Sequence, residues 1–452
     1  MSDADAATGG DRSDGNADLG HGTSGGPAGG TSGDGMSGGT HDPAHPGASR
    51  RAILLGLLGA AGLGALGFAI GRATAGTGAP GTGMPAGPGS TPAPTLDPAL
   101  RALVPAAGAT QAGIARPDTP QSYGLLLVAD LPVDPGLAGS PGTGSPGAPG
   151  ALPWLAALGE QILALTGGEQ SYGFLPAGPG DLTVTVGLGP RVVALVDPGA
   201  PGSEALPLFA GDETIDPQSS GGDLLLAVYG SDPGVLAPVV EQLLTAVPGA
   251  TARWSQRLFR GPSEGTITRN PLGFHDGVIV PRGEEELAES VWLDGPFAGG
   301  SICVIRRLRL ADDVFLALSE QEQNAVIGRQ KTTGAPLSGG GQRDQVDLLA
   351  KSPDGEYVTP LHSHARAAHP SFTGSGLMLR RGYAFDEGTG ADGVANAGLT
   401  FICFQNELRT FVATQHRLDE TDALMSYVTP TASATFLILP GFTADRPLAF
   451  PA

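Results

Sequence analysis

The chain has 452 residues, 40% of them hydrophobic, and a formal net charge of −20, which suits more than one domain and a sizeable core. The acidic balance argues against nucleic acid as a partner, because neutralising phosphates requires clustered Lys and Arg. Two cysteines are too few for a disulfide framework in so long a chain. Cys303 and Cys403 each sit in an apolar run (SICVI, FICF) and read as buried thiols, with a bond between them left open.

Residues 1–48 are Gly, Ser, Asp, Thr and Ala with almost no large apolar side chains, so this tail is expected to be disordered. Ser49-Arg50-Arg51 then precedes an apolar run from Ala52 to Ile70 and the A-x-A site Ala73-Thr74-Ala75. Residues 49–75 therefore read as a signal segment of the twin-arginine kind, which implies the twin-arginine translocon as a partner. The destination is periplasmic, extracellular or cell-envelope associated. The competing reading is a lasting anchor, since the run is just long enough to span a bilayer. Residues 76–110 form a Pro/Gly-rich linker, and the folded part begins near Gln111.

Tyr123–Asp130 reads as a buried strand, 131–150 as a Pro/Gly loop and Leu152–Thr166 as a helix by its apolar spacing. Strands follow at Leu182–Gly187 and Asp223–Tyr229, a helix at Val235–Val247, and a fourth strand starts at Ala252. The order recurs further on. Gly300–Arg306 is a strand, Asp312–Gln330 carries helices, Leu399–Phe404 is a strand, Leu408–Asp419 a helix and Thr435–Leu439 a last strand. This predicts an α+β protein with two ferredoxin-like domains, 111–285 and 286–452. They would form a pseudo-repeat of the dimeric α+β barrel type, with antiparallel sheets and peripheral helices.

The segment from Leu361 to Pro370 (LHSHARAAHP) holds three of the chain's eight histidines. A metal or haem ligand is one reading; a solvated polar loop is the other. Gly273-Phe-His-Asp-Gly277 would ordinarily be a tight turn, and Leu377-Met-Leu-Arg-Arg-Gly-Tyr383 a solvated strand end. In this order, however, the three segments resemble the dye-decolourising peroxidase family, in the exported branch that includes deferrochelatases. The resemblance extends over residues 110–445 through Gln111-Ala-Gly-Ile114, Ser219–Leu224, Arg253–Gln256, Gly299–Arg307, Ile327–Leu337, Phe401–Gln405 and Gln415–Glu420.

The resemblance implies a haem b peroxidase, with one haem per chain, using hydrogen peroxide and an organic dye, phenol or metal-ion reductant. Its alternative is a haem-handling protein that removes iron and keeps the porphyrin intact, with iron-uptake partners. The family tends to self-associate. The resemblance assigns the iron to His364, the His of a His-x-Arg segment, with His362 as competitor. It puts Asp276 and Arg380 on the peroxide side as catalytic groups. It also implies haem contacts from Gly277, Val278 and Ile279 and from His369, Pro370 and Ser371. Arg329 or Arg366 would pair with propionates. A carboxylate on the other nitrogen of His364 would make it more basic; Asp422 is the first candidate and Glu420 the second. This chain departs from the family at Val278-Ile279-Val280, where a hydroxyl residue and an Asn are usual, and at His369-Pro370-Ser371, where Asn-Pro-Arg is common. His275, beside Asp276, is expected to face solvent, with tuning of the pocket as the alternative. Trp254, Trp292 and Tyr383 could relay electrons to bulky dyes, although plain core packing is the ordinary role of such rings.

Overall fold

The computed structural model describes residues 102–133, 152–390 and 392–451. The tail, the signal segment and residues 76–101 of the linker lie outside the described residues, as does most of the 131–150 loop. Among the described residues, no helix is long and apolar enough to cross a membrane.

The first half runs β1 (Tyr123–Asp130), α1 (Trp154–Gly167), β2 (Thr183–Leu188), α2 (Pro190–Val196), β3 (Leu224–Gly230), α3 (Leu236–Leu244), β4 (Thr251–Phe259). A small hairpin, β5 (Thr268–Arg269) and β6 (His275–Asp276), and α4 (Gly283–Ser290) lead on. The second half has β7 (Ser301–Leu310), α5 (Asp312–Leu316), α6 (Glu320–Ile327), α7 (His364–Ala367), α8 (Pro370–Thr373) and β8 (Leu379–Arg380). It ends with β9 (Tyr383–Thr389), β10 (Ala395–Gln405), α9 (Leu408–Thr421) and β11 (Val428–Ile438).

The strands pair in the order β7-β11-β2-β3-β1-β4-β9-β10, and β10 pairs again with β7, so the sheet closes into a barrel. Within it, β2-β3-β1-β4 and β9-β10-β7-β11 repeat one ferredoxin-like order, and every main-sheet pairing is antiparallel. The two seams are narrow. β11 meets β2 at Leu437↔Leu188 and Ile438↔Gly187, and β4 meets β9 only at Phe259↔Ala384. Gly187 belongs at its seam because a Cβ there would lie 2.9 Å from Phe436 and Ile438 side-chain atoms.

Alternation along the strands divides the apolar residues between two layers. Leu126, Val128, Leu225, Ala227, Cys303, Ile305, Ile402, Phe404 and Phe436 fill the barrel. Leu125, Leu127, Leu224, Leu226 and Val228 face outward and pack with Leu155, Leu158 and Ile162 of α1 and Val239 and Leu243 of α3. Each such fully buried side chain contributes about 1.5–3 kcal/mol relative to exposure. The same alternation settles the cysteines. Cys303 points into the barrel, whereas Cys403 points outward among Val304, Phe209 and Phe411, and both are free thiols. α6 starts where a capping box is written: Ser319 and Glu322 satisfy each other's backbone N–H groups.

Candidate active site

The outward face of β7 and β10 does not carry a plain helix layer. Leu308, Leu310, Leu399 and Phe401, each two residues apart on its strand, floor a cavity roofed by α9 (Phe411, Gln415, Leu418) and walled by Ile327, Val346, Leu377, Leu424 and Met425. Most of the lining is apolar. Among the polar groups of the lining, three come from separate elements: His364 from α7, Asp276 from the β5–β6 hairpin, and Arg380 from β8.

His364 opens α7, behind Ser363, which is buried and whose hydroxyl donates to the Pro360 carbonyl at 2.8 Å. Its Nδ1 lies 2.6 Å from Oδ2 of Asp422. The carboxylate is fully buried while the imidazole is 39% open, toward the cavity it lines. Asp422 is fixed by its place in the chain. It ends α9 and caps the short 3-10 turn that follows, its Oδ1 accepting from the Leu424 N–H at 2.9 Å. Both oxygens are therefore engaged, and a neutral His364 must carry its proton on Nδ1 and present Nε2. Burial works against the charged ring, but the charge and hydrogen bond of Asp422 outweigh it and hold the imidazole above its ordinary value. His362 is exposed and turns its Nδ1 to the Thr421 carbonyl at 3.0 Å, away from the cavity. Glu420 is not the partner: it lies within α9, 69% exposed, beside Arg417.

Asp276 is held by the hairpin register Thr268↔Asp276. Its Oδ1 accepts from the Gly277 N–H at 2.6 Å and stands 3.8 Å from Nε of Arg380. Arg380 is anchored in turn by β8–β10 pairing with Cys403 and by donating to the Ile279 carbonyl at 2.8 Å. The turn needs glycine at 277: φ is +73°, and a Cβ would collide with the Thr266 carbonyl oxygen. Val278 and Ile279 continue along the cavity wall.

Other expected positions are divided. His369 and Pro370 line the cavity; Ser371 does not, being exposed, with its N–H donated to His369 Nδ1 at 3.2 Å. Arg329 lines it, but its terminal nitrogens donate to the carbonyls of Gly334, Gln342 and Asp344, so it braces that loop. Arg366 lies off the cavity. Its guanidinium packs 4.5 Å from the Tyr357 ring centroid and donates to the Leu348 carbonyl at 2.8 Å. A propionate role for Arg366 is thereby replaced by a structural one. His275 does not simply face solvent: its ring lines the cavity, 3.2 Å from Nε2 of Gln342, and burial together with Arg269 lowers its pKa.

Sequence reasoning missed Arg306, Met378, Thr414 and Gln415 in the lining. Arg306 had a signal, a charge on the face of β7 otherwise made of Ile302, Val304, Leu308 and Leu310. It is 2% exposed and paired with the equally buried Asp212 at 2.7 Å. Among the described residues, no cluster of three or more His, Cys, Asp or Glu could hold a bare metal ion. Of the three imidazoles that line the cavity, His364 is the one whose Nδ1 is held by a buried carboxylate.

A family model described as "Dyp-type peroxidase, C-terminal" matches residues 267–443, the stretch that contributes Asp276, His364, Arg380 and Asp422. A dye-decolorizing peroxidase of Thermobifida fusca is 33% identical over 431 residues, covering 88% of this chain and 95% of that protein. The chain belongs to the dye-decolourising peroxidase family. The peroxidase is an oxidoreductase, and its fold is that of solved relatives. Ferric DtpA from Streptomyces lividans is 30% identical with a TM-score of 0.70, covering 79% of this chain and 98% of that one. A DyP-type peroxidase from Cellulomonas bogoriensis is 31% identical with a TM-score of 0.69, covering 78% and 98%. A DypB variant from Rhodococcus jostii RHA1, solved in complex with heme, shares the fold at 19% identity and a TM-score of 0.51, covering 71% and 96%. The peroxidase is also 32% identical to a deferrochelatase of Yersinia pestis over 287 residues, covering 58% of this chain and 64% of that protein.

Proposed function

We propose that the protein binds one haem b per chain in this cavity, with Nε2 of His364 as the iron's protein ligand. It would reduce hydrogen peroxide at the expense of organic dyes, phenols or metal ions. The observation that carries the reading is the shared cavity: a mostly apolar enclosure in which an imidazole backed by a buried carboxylate meets a carboxylate–guanidinium pair. The fit is chemical as well. The walls suit a flat apolar ring, and one free imidazole nitrogen is the donor such a group lacks.

The haem would supply the redox chemistry, taking two oxidising equivalents from peroxide and releasing them to a reductant singly. The protein's own groups do the rest. Asp422 accepts a hydrogen bond from Nδ1–H of His364, which fixes the ring and makes Nε2 a stronger electron donor. Asp276, as carboxylate, can take the proton from the inner peroxide oxygen and hand it to the outer one, so that the latter leaves as water. Arg380, beside it, stabilises the negative charge that builds as the O–O bond breaks. The apolar walls keep out bulk water and strengthen both effects.

Asp276→Ala and Arg380→Ala test the reading. Each should bind haem with an unchanged absorption spectrum and lose peroxide-dependent dye oxidation by about 10²-fold or more. Full activity in either variant would sink the assignment. A second reading, iron release from haem with the ring kept intact, draws on the deferrochelatase relatives. Metal-free porphyrin appearing from haem without peroxide, and surviving both substitutions, would favour it. Export by the twin-arginine route belongs to the same proposal, and unimpaired export of an Arg50→Lys/Arg51→Lys variant would remove it.

A further inference from the structure

We propose that the barrel interior of this chain holds a small monovalent anion of halide size between Arg260, Arg381 and the hydroxyl of Tyr383. This site is separate from the cavity described above. Arg260 follows β4 and Arg381 and Tyr383 lead into β9, so the three meet at the seam where the halves share a single residue pair.

All three are buried: Tyr383 is 1% exposed, Arg381 2% and Arg260 7%. The Arg260 guanidinium lies 5.3 Å from the centroid of the Tyr383 ring, which stacks on Tyr229 at 5.5 Å. Backbone carbonyls account for part of the donor set. Arg260 gives one bond to the Thr266 carbonyl at 3.0 Å, and Arg381 donates from a single nitrogen, Nη1, to the carbonyls of Ile114 and Pro117. Nε and Nη1 of Arg260 and Nε and Nη2 of Arg381 are buried with no carboxylate or carbonyl among the described residues to accept from them, and the acceptor both guanidiniums share is the neutral hydroxyl of Tyr383. Among the described residues, neither guanidinium has a carboxylate partner at ion-pair distance. Asp276 acts on Arg260 only through space and is itself engaged by Arg380.

Buried charges are normally paired, and unpaired buried donors are rare enough to require a cause. Guanidinium groups do not shed their charge to escape the cost. Tyr383 cannot act as the counter-ion: burial raises its pKa, and the two arginines offset only part of that rise, so the phenol keeps its proton and remains a donor. Water would fill some hydrogen bonds but leave two positive charges uncompensated. What the cluster lacks is an acceptor that carries negative charge. Its enclosure by the closed sheet and the Tyr229 ring favours a compact ion over an extended oxyanion.

The test uses the loaded, full-length protein. Crystals soaked in sodium bromide should show an anomalous peak within hydrogen-bonding distance of Arg260, Arg381 and Tyr383. In solution, chloride should raise the melting temperature in a saturable way against isethionate at equal ionic strength. Arg381→Met should abolish both effects while leaving the haem absorption spectrum unchanged. Density at this place without anomalous signal, meaning water alone, would overturn the proposal, as would a halide response that persists in Arg381→Met. If that variant does not fold, the bromide map of the unsubstituted protein decides the matter.

Discussion

Asp422→Asn isolates what the buried carboxylate does for His364. The substitution keeps shape and volume, but the native side chain serves two donors with two oxygens: His364 Nδ1 at 2.6 Å and the Leu424 N–H at 2.9 Å. Asparagine has one oxygen and an N–H₂ group, so one donor must go without, and the charge is lost as well. A hydrogen bond to a charged group contributes about 1.5–3 kcal/mol, which is roughly 10- to 150-fold in an equilibrium constant at about 1.4 kcal/mol per decade. The Asp422 side chain is fully buried but the ring is partly open, so solvent screening favours the lower part of that range. Titrating haem into apoprotein and following the absorption band should show affinity weakened about 10- to 100-fold. Urea unfolding of the apoprotein should report about 1–2 kcal/mol lost. Glu420→Gln is the control; at 69% exposure it should change neither quantity. Affinity for haem within twofold of the unsubstituted protein would refute the reasoning.

Gly277→Ala should destabilise by about 2 kcal/mol or more in urea unfolding, since a positive φ alone costs a side-chain residue about 1–2 kcal/mol and the Cβ meets the Thr266 carbonyl. Asp212→Leu, which strands the 2%-exposed Arg306, should cost about 3–5 kcal/mol, whereas Asp212→Leu/Arg306→Met should recover most of it; equal losses would be the contrary result. The His275 pKa is lowered in the folded state, so its contribution is present above the unfolded value near ~6.5 and is lost as pH falls through the lower folded value. His275→Gln should therefore lose less stability than the unsubstituted protein between neutral and mildly acid pH, as read by thermal melts. Thiol titration should find Cys303 and Cys403 unreactive when native and both reactive when unfolded without reductant; one disulfide's worth of missing thiol would contradict their opposite facings.

The apolar runs that make β1, β3, β7 and β10 could be read directly, and so could the helical spacing of α1 and α9. Elements whose residues point elsewhere could not. Pro190–Val196 (PRVVALV) is β-branched enough to pass for a strand, yet Pro at its first turn and packing against the barrel make it a helix. Gly283–Ser290 (GEEELAES) has no apolar stripe, and Tyr383–Thr389 turns polar after its first residues. β11 runs back to Val428 through a proline, where its register against β7 shifts. At the site, the family resemblance pointed to His364, and Asp422 and Glu420 were candidates for its partner because both come near the end of the last long helix; the structure puts Asp422 on the ring, held by capping the turn that follows α9. Arg366 and Ser371 were misplaced. Their neighbours in sequence line the cavity, but one turn of α7 or α8 swings them off it, a rotation that spacing without a backbone does not reveal.

The closed barrel also has a consequence for how the chain is made. β11, the last strand synthesised, is the one that joins β7 to β2. Until Ile438 exists the ring stays open, and the finished first half presents β2 and β4 as bare edges. From Phe259 to Ile438 is 438 − 259 = 179 residues, or about 10–40 s of translation at ~5–20 residues per second. Throughout that interval the ribosome-bound chain is open to pairing with a neighbouring nascent chain. The protein should therefore depend more on chaperones during synthesis than its finished form would indicate.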